Sequence, residues 1–507
     1  MGPAPLTYMG WLSATARHDP DRIAVIDPTV TVTYGELVAS ARAVAAGLAD
    51  AGMAPGVPVA LACEPSAAYL ALFLGALEAG VVPAFVNTRL TAREVRAFLE
   101  RIGPQAVVCD VPHAPLVQDV AWPLVVLPGL AGGTLREQLG TLSGVPRKLP
   151  VPAEADPAVI FPTGGTTGLP KGCYTSHRGL LLWSWNVSAS TLRHRFEVEL
   201  YFAPFFHVSL VVGMLAPLFA GGTVVIEPAF SAGSALEAIG RHSVTRLMGA
   251  PTVFTALMRE AAGDPSALLG IRDIVFGSSS WTDAFCRSLL RNFPNAAISA
   301  GYGATEFASG VSRIAPGDFR AGRFTGAGRP NPGCQINILD ADDKPVPPGD
   351  AGQIAVRSPW QTLGYWNQPD ETAATYGADG YIRLGDIGYF DETGWLFVSG
   401  RLKEMIITGG ENVFPIEVEQ ALAELPSVVQ AAAFGVPDEY WGERVEAVVM
   451  VAPGAAAALT GAGLRDAVRG RLAGYKVPKR VHVVDSLPLT PNNKVDRAAL
   501  RARYQES

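Results

Sequence analysis

Over much of the first 400 residues, short apolar runs rich in β-branched residues alternate with stretches that have the periodicity of an amphipathic helix. One unit starts with the apolar run at residues 81–86, which predicts a buried strand, and continues with Thr91 and Glu94 at the spacing of a capping box. The helix that this box would start carries four apolar residues on one face, namely Val95, Phe98, Leu99 and Ile102. Residues 106–110 then predict the next strand. Short connections between strand, helix and strand predict largely parallel sheets covered by helices.

The pattern changes after Gly400. The rest of the chain predicts two helices, at residues 415–425 and 464–472, and three strands, at residues 428–435, 445–451 and 481–484. A unit of about a hundred residues is typical of a separate domain. We therefore predict an α/β fold with a large N-terminal domain over residues 1–400, made mainly of parallel sheets flanked by helices, and a small α+β domain over residues 401–507.

Composition and charge narrow the classes of partner. Hydrophobic residues make up 49% and charged residues 17% of the chain, which is typical of a well-buried globular protein. The net charge of −7 and the lack of a basic stripe in the sequence argue against a nucleic-acid partner. The five cysteines are scattered without CxxC spacing, which indicates reduced thiols in a cytoplasm and argues against disulfides and a zinc site.

One charge-free run, residues 208–226, has the length of a membrane span. Pro217 and three glycines, Gly213, Gly221 and Gly222, interrupt this run, and its end, TVVI, has the composition of a short buried strand. We therefore predict a core helix, a turn and a strand here, and no integral membrane segment.

The segment FPTGGTTGLPKG, residues 161–172, carries the first candidate chemistry. Its glycines let backbone N–H groups converge on an anion, its threonine hydroxyls add donors, and Lys171 adds a positive charge. Phosphate oxygens fit this chemistry, although a flexible surface turn has the same composition. A Walker A loop is excluded because Gly-Lys-Ser/Thr does not follow at the required spacing.

Four further motifs follow in order: YGATE at residues 302–306, YIRLGDIGYFDETGWLFVSGR at 381–401, GGENVFPIEVE at 409–419 and TPNNKVDR at 490–497. Together with TGGTTGLPKG, they resemble the motifs of the adenylate-forming superfamily, which includes acyl- and aryl-CoA synthetases, nonribosomal-peptide adenylation domains and luciferases. The resemblance spans essentially the whole chain. It implies that a carboxylate attacks the α-phosphate of ATP to give an acyl-adenylate and pyrophosphate, after which a thiol displaces AMP.

The resemblance assigns the nucleotide to residues of the large domain. The glycine-rich segment would hold the β- and γ-phosphates, Glu306 would bind Mg²⁺, and Thr305 would contact the α-phosphate. Tyr302 would stack near the adenine, and Asp386, backed by Arg401, would accept two hydrogen bonds from the ribose diol. The full set of expected ATP and AMP ligands is Thr163, Gly164, Gly165, Thr166, Thr167, Gly168, Lys171, Ser279, Tyr302, Asp386 and Arg401.

Two positions depart from the usual motifs of the superfamily. Gly164 stands where serine is usual, which removes one hydroxyl donor and gives a more pliable backbone. Asn493 stands where glycine usually precedes the catalytic lysine, and asparagine tolerates the left-handed conformation better than most residues. We interpret both as tolerated variants.

The small domain would supply the residues that separate the two steps. Lys494 would bridge the substrate carboxylate and the α-phosphate, where the transition state develops charge. Lys403 marks the expected hinge, at which the mobile domain would rotate to withdraw Lys494 and present the GGEN segment for the thiol step. The residues expected along the coenzyme A path are Gly409, Gly410, Trp441 and Lys479.

His207 would be the gate between the acid pocket and the thiol tunnel, although a packed core histidine beside two phenylalanines has the same sequence environment. The acid pocket is expected at residues 183–188, 206–210, 278–281 and 301–304, with Ser278, Gly301 and Gly303 in its wall and Trp281 narrowing it. These segments carry no lysine, arginine or carboxylate. That composition favours an uncharged aromatic, alicyclic or medium acyl group over an amino acid.

An acid–CoA ligase is the predicted function. One alternative is a stand-alone adenylating enzyme that loads the phosphopantetheine of an acyl carrier protein. An adenylate-binding protein without chemistry is disfavoured because Lys494, Glu306 and Asp386 are present, and nothing in the sequence favours a luciferase-like oxygenase. The expected cofactors are ATP, Mg²⁺ and coenzyme A, the expected partner is a small carboxylic acid, and we expect a cytoplasmic monomer or homodimer.

Overall fold

The computed structural model of this chain describes residues 5–128, 133–163, 170–191, 197–277, 281–307, 310–425, 428–451, 460–490 and 495–505. Its strands group into four sheets, three formed by residues up to Arg401 and one by residues from Ile406 onward. The helices of the larger part are Tyr8–His18, Tyr34–Asp50, Ala67–Ala79, Ala92–Ile102, Ala114–Val117, Leu135–Leu139, His177–Thr191, Ala216–Phe219, Ala232–His242, Pro251–Glu260, Asp283–Asn292, Pro316–Arg320 and Pro369–Thr375.

The first sheet has a parallel centre and two antiparallel strands at one edge. Its seven strands lie in the order Gly364–Tyr365, Lys171–Ser176, Pro157–Thr163, Val82–Phe85, Pro58–Ala62, Ala106–Cys109 and Leu124–Val126. The five strands from Pro157–Thr163 onward run parallel, and the first two are the antiparallel additions.

The second sheet has nine strands and also has a parallel centre. Their order is Arg329–Pro330, Ser312–Ile314, Ala297–Tyr302, Asp273–Gly277, Arg246–Gly249, Val198–Tyr201, Thr223–Ile226, Ile23–Ile26 and Thr31–Thr33. Helix Ala67–Ala79 is buried on all sides of its first eleven residues, in a core that contains side chains from both large sheets. The two sheets therefore share one hydrophobic core, and the predicted α/β fold class is confirmed.

The third and fourth sheets lie on either side of the predicted domain boundary in the sequence. The third is antiparallel, in the order Gln335–Leu339, Gly352–Arg357, Ile382–Phe390 and Leu396–Arg401. The fourth contains Glu411–Val413, Ile406–Thr408, Gly442–Val451 and Val428–Asp438, with Arg480–Val483 parallel to Gly442–Val451, and its helices are Pro415–Ala423, Gly461–Val468 and Arg497–Tyr504. A short 3₁₀ turn, Leu402–Glu404, connects the two sheets. The division into domains at residue 400 stays a prediction.

The strand–helix–strand unit has the predicted form. Strand Val82–Phe85 is followed by helix Ala92–Ile102, whose capping box between Thr91 and Glu94 is complete. Its four predicted apolar residues are buried, and strand Ala106–Cys109 follows. Local capping and periodicity were therefore sufficient to locate these elements.

The apolar run at residues 208–226 forms a π-helical turn, Val211–Leu215, continued by helix Ala216–Phe219, a turn and strand Thr223–Ile226. The core helix, turn and strand predicted there are confirmed. In the part of the chain that the structure describes, no helix has both the length and the apolar character needed to cross a membrane.

Candidate active site

Asp386 is the best-fixed carboxylate among the predicted ligands. It lies opposite Arg401 in the register of strands Ile382–Phe390 and Leu396–Arg401, and Arg401 Nε donates to Asp386 Oδ1 at 2.8 Å. Tyr302 Oη donates to Asp386 Oδ2 at 2.5 Å. Asp386 is 3% exposed, so protein donors hold both of its oxygens in a site with little water.

The charges around Asp386 are stable at neutral pH. Burial and the Asp386 carboxylate raise the pKa of the Tyr302 phenol well above its usual value, so this group stays a neutral donor. Burial opposes the charge of Arg401, but the adjacent Asp386 outweighs it and raises the pKa of the guanidinium. Tyr302, Asp386 and Arg401 thus form a fixed polar cluster, whereas the sequence had suggested only an adenine contact for Tyr302.

Glu306 lies close to this cluster in the chain, on a 3₁₀ turn, Thr305–Phe307, that follows strand Ala297–Tyr302. Its side chain is 7% exposed, and Glu306 Oε1 accepts a hydrogen bond from Tyr365 Oη at 2.7 Å. Its backbone carbonyl accepts from the Thr362 N–H at 3.0 Å. Side chain and backbone of Glu306 are therefore both held by the segment that contains Thr362 and Tyr365.

The donor set around Glu306 suits a metal that arrives with phosphate. Among the described residues, no group of three or more histidine, cysteine, aspartate or glutamate side chains is arranged to hold a metal ion. Mg²⁺ is typically held by one or two carboxylates together with substrate phosphates. A single oriented carboxylate at Glu306 fits that mode and does not fit a protein cage.

Lys171 begins the strand after the glycine-rich segment, where it pairs with Thr163 across an antiparallel ladder. Five of the predicted ligands between them, Gly164, Gly165, Thr166, Thr167 and Gly168, lie outside the described residues. Lys171 Nζ forms an ion pair with Glu371 and stands 4.7 Å from the centre of the Tyr365 ring. Arg101 Nη1 donates to the Pro170 carbonyl at 2.9 Å and so fixes the start of this strand.

The predicted acid pocket follows the carboxyl ends of parallel strands. His207 follows Val198–Tyr201, residues 278–281 follow Asp273–Gly277, and Gly301 and Gly303 lie at the end of Ala297–Tyr302. These strands belong to one sheet, and ligands of open α/β sheets bind beyond such ends. Ser278 and Ser279 lie outside the described residues.

Two side chains of the predicted pocket have defined contacts. His207 is half-buried, and its Nδ1 accepts from the Ser209 N–H at 3.1 Å, which orients the ring. Trp281 Nε1 donates to the Phe324 carbonyl at 2.8 Å, and its ring packs edge-on against Phe276. Trp281 therefore packs against the core of the second large sheet, and its narrowing of the pocket stays a prediction.

Three of the expected coenzyme A residues meet on the fourth sheet. Gly409 and Gly410 form the turn between strands Ile406–Thr408 and Glu411–Val413, with φ of +61° and +83°. A Cβ at Gly409 would lie 2.8 Å from the Trp441 ring, so glycine is required for the close approach. Lys479 Nζ stands 4.6 Å from the centre of the Trp441 ring, which is 38% exposed.

Of the two lysines predicted in the small domain, the structure describes the proposed hinge residue, Lys403, but not Lys494. Lys403 lies in the 3₁₀ turn Leu402–Glu404 that connects the third and fourth sheets. Lys494 and Asn493 lie outside the described residues. On either side of that segment, Leu489 bridges to Val495, and Arg497 forms ion pairs with Glu404 and Glu419.

Sequence reasoning missed Tyr365 and Glu371. Both belong to GYWNQPDE, residues 364–371, in which an aromatic pair flanked by glycine and proline was the available signal. Their role depends on the pairing of strand Gly364–Tyr365 with Lys171–Ser176, about two hundred positions earlier. Local patterns do not encode that contact.

Known proteins resemble this chain over nearly its full length. The model of the AMP-binding enzyme family matches residues 12–366, and the model of the AMP-binding enzyme C-terminal domain matches residues 417–494. A feruloyl-CoA synthase from Amycolatopsis sp. is 35% identical over 501 residues, which cover 97% of this chain and 98% of that protein.

A carrier-protein ligase and a solved structure are also similar. The fatty acid–[acyl-carrier-protein] ligase ScoC of Streptomyces coeruleorubidus is 31% identical over 513 residues, covering 98% of this chain and 96% of that protein. The crystal structure of ATP-bound MatB from Rhodopseudomonas palustris superposes with a TM-score of 0.89 at 30% identity, covering 98% of this chain and 99% of that one.

Proposed function

Because this chain belongs to the AMP-binding enzyme family, and through it to the adenylate-forming superfamily, we propose that it is an ATP-dependent acid–CoA ligase. In the first step, a carboxylate oxygen of the acid bonds to the α-phosphorus of ATP, and the bond from that phosphorus to the pyrophosphate oxygen breaks. In the second step, the thiol sulfur of coenzyme A loses its proton and bonds to the acyl carbon, and AMP leaves. The products are an acyl-CoA thioester, AMP and pyrophosphate.

The buried Asp386 between Tyr302 and Arg401 is the observation that carries this proposal. Each carboxylate oxygen has more than one acceptor site, so each can accept a ribose hydroxyl while a protein donor fixes its direction. A ribose held in this way would place the α-phosphate near Thr305 and Glu306, and the position of both residues directly after Tyr302 in the chain supports this. Nucleotidyl transfer depends chiefly on such positioning and on charge neutralisation.

Glu306 would hold Mg²⁺ together with phosphate oxygens of ATP. When bound, the ion would neutralise negative charge on the phosphates of ATP. Lys171 and the glycine-rich segment would bind the departing pyrophosphate, and Lys494 would bridge the acid and the α-phosphate.

The thiol step would use the small domain after a rotation at Lys403. The contact of Gly409 with Trp441, and of Trp441 with Lys479, supports a path on which a pantetheine chain passes the glycine turn and a nucleotide meets an aromatic face and a cation. His207 would separate this path from the acid pocket. A cytoplasmic location agrees with the reaction, because ATP and coenzyme A are intracellular substrates.

The acid is proposed to be an uncharged aromatic, alicyclic or medium acyl compound. The predicted pocket segments carry no charged residue, and an ammonium group there would lack a carboxylate partner. The similarity to a feruloyl-CoA synthase supports an aromatic acid. The similarity to ScoC supports a second candidate acceptor, the phosphopantetheine thiol of an acyl carrier protein.

A panel of carboxylic acids with purified protein, ATP and Mg²⁺ tests this proposal. Pyrophosphate release with an aromatic or alicyclic acid, and thioester formation on addition of coenzyme A, are expected. If a thioester formed only on holo acyl carrier protein, the carrier protein and not coenzyme A would be the acceptor. Release that depends only on amino acids would contradict the proposed acid class.

A further inference from the structure

Tyr365 contacts two residues to which the proposed reaction gives separate tasks. Its hydroxyl donates to Glu306 Oε1 at 2.7 Å, and its ring lies 4.7 Å from Lys171 Nζ. We propose that Tyr365 is a positioning residue for adenylation, which holds the carboxylate that would face the metal and the ammonium that would face the phosphates in one fixed arrangement. This inference rests on the proposed function, since it concerns the same nucleotide site.

The backbone around Tyr365 is fixed before any nucleotide arrives. Strand Gly364–Tyr365 pairs with Tyr174 and Cys173, and the Tyr365 N–H donates to the Thr372 hydroxyl at 2.9 Å. Gly364 has φ of +141°, and a Cβ there would lie 2.6 Å from the Thr372 side chain, so only glycine allows this path. Tyr365 is therefore presented from a rigid element, as positioning requires.

The phenol suits a permanent donor to Glu306. A phenol donates one hydrogen bond, and the Tyr365 hydroxyl directs it to Glu306 Oε1 at 2.7 Å. Hydrogen bonds to a charged acceptor are stronger than neutral ones and fix direction. Because Tyr365 takes up one acceptor site of Glu306 Oε1, Oε2 would be the more open oxygen for a cation.

The Tyr365 ring provides a fixed aromatic face against which the Lys171 ammonium lies. Lys171 has a second contact, an ion pair with Glu371, whose side chain is 49% exposed. An exposed ion pair is weak and exchanges readily, whereas the aromatic face is part of a buried strand. Phosphate can thus replace Glu371 while Tyr365 keeps the ammonium in place.

A purely structural role for Tyr365 gives different expectations. Its ring also packs edge-on against Tyr376, whose hydroxyl bonds to the Thr362 hydroxyl. Tyr376 belongs to the same cluster of phenols but has no hydrogen bond to Glu306 among the contacts of the described residues. Tyr376→Phe is therefore the matched control for Tyr365→Phe.

Calorimetric titration of the full-length protein with ATP and Mg²⁺, without acid, tests the inference in the absence of turnover. Tyr365→Phe should weaken binding by about tenfold or more, the size of a hydrogen bond to a charged group. The same change in a Glu306→Ala background should have less than about a third of that effect, because its target is gone. Tyr376→Phe should leave the affinity within about twofold of the unchanged protein.

The ring contact is tested separately by Tyr365→Leu. Its additional loss of ATP affinity relative to Tyr365→Phe should disappear in a Lys171→Ala background. Thermal unfolding of each variant shows that it is folded at the titration temperature.

The inference would be overturned if Tyr365→Phe lowered the ATP affinity equally with and without Glu306. It would also be overturned if Tyr365→Phe and Tyr376→Phe lowered the ATP affinity equally, and in either case Tyr365 would have only a packing role. In that case the unchanged protein would still form AMP from ATP and acid. No ATP binding by the unchanged protein would instead overturn the proposed function, and this inference with it.

Discussion

Lys171 and Glu371 are 200 positions apart in the chain and form an ion pair beside the glycine-rich segment. The hydrogen bond and charge of Lys171, with smaller contributions from Lys403 and Arg101, keep the pKa of Glu371 below its usual value. Glu371 is therefore ionised at neutral pH and pairs with the Lys171 ammonium, which phosphate would use. At the proposed site, the nucleotide would therefore compete with an internal anion.

Glu371→Gln should lower the KM for ATP by up to about fivefold, the upper size of an exposed ion pair, with little change in kcat. Steady-state kinetics at saturating acid measure this change. Asp370→Asn, which removes the same charge one residue earlier, is the control and should change KM little. A higher KM in Glu371→Gln would mean that Glu371 supports Lys171 in the bound state.

Asp386→Asn should weaken AMP binding by about tenfold or more, because it removes a charged acceptor held between Tyr302 and Arg401. Equilibrium titration with AMP measures the change. Asp379, which pairs with Arg383 on the surface, offers a matched control in Asp379→Asn. Similar losses in both variants would show that the effect is general and would remove Asp386 from the ribose site.

Gly409→Ala should slow thioester formation while sparing adenylation, because the added Cβ would lie 2.8 Å from the Trp441 ring. Gly410→Ala is the comparison: it also has positive φ, but an added Cβ there meets nothing within 4 Å. In both variants, alanine at positive φ should cost about 1 kcal/mol or more. The difference between the two variants in the rate of thioester formation therefore reports the contact with Trp441. Rapid-quench measurement of the two half-reactions separates the steps, and equal behaviour of the two variants would contradict a role for that contact.

Lys403→Pro should slow the second half-reaction more than the first, because proline fixes φ at the proposed hinge. Lys403→Ala keeps the freedom of the backbone and controls for loss of the charge. Single-turnover assays starting from acyl-adenylate report the second step directly. Unchanged thioester formation in Lys403→Pro would place the hinge elsewhere.

Much of the fold could be predicted because its signals are local. The capping box of Thr91 and Glu94 and the apolar face behind it are written in consecutive residues. Two strands of the fourth sheet were predicted too short, because the first extends to Asp438 and the second begins at Gly442. Between them, Asp438 Oδ1 accepts the N–H groups of Tyr440 and Trp441 and closes a tight turn. That turn depends on side-chain capping, which the apolar pattern does not contain.

The site was predicted residue by residue, but its internal contacts were not. Sequence motifs pointed to Asp386, Arg401 and Tyr302, whereas their assembly depends on the register between two strands and on a third strand from another sheet. Tyr365 and Glu371 were missed because the pairing that places them near Lys171 spans much of the chain. Long-range strand pairing is set by tertiary packing, so the motifs name candidate residues but do not contain their geometry.

Chromatography and mass spectrometry of one reaction show directly whether the protein joins an acid to coenzyme A at the expense of ATP. Full-length protein is mixed with ATP, Mg²⁺, coenzyme A and an aromatic acid, in parallel with Lys494→Ala and with the control Lys344→Ala. We predict AMP and acyl-CoA in equal amounts, formation slowed about a hundredfold or more in Lys494→Ala, and an unchanged rate in Lys344→Ala. ADP as the nucleotide product, or AMP formation without any thioester on coenzyme A or a carrier protein, would contradict it.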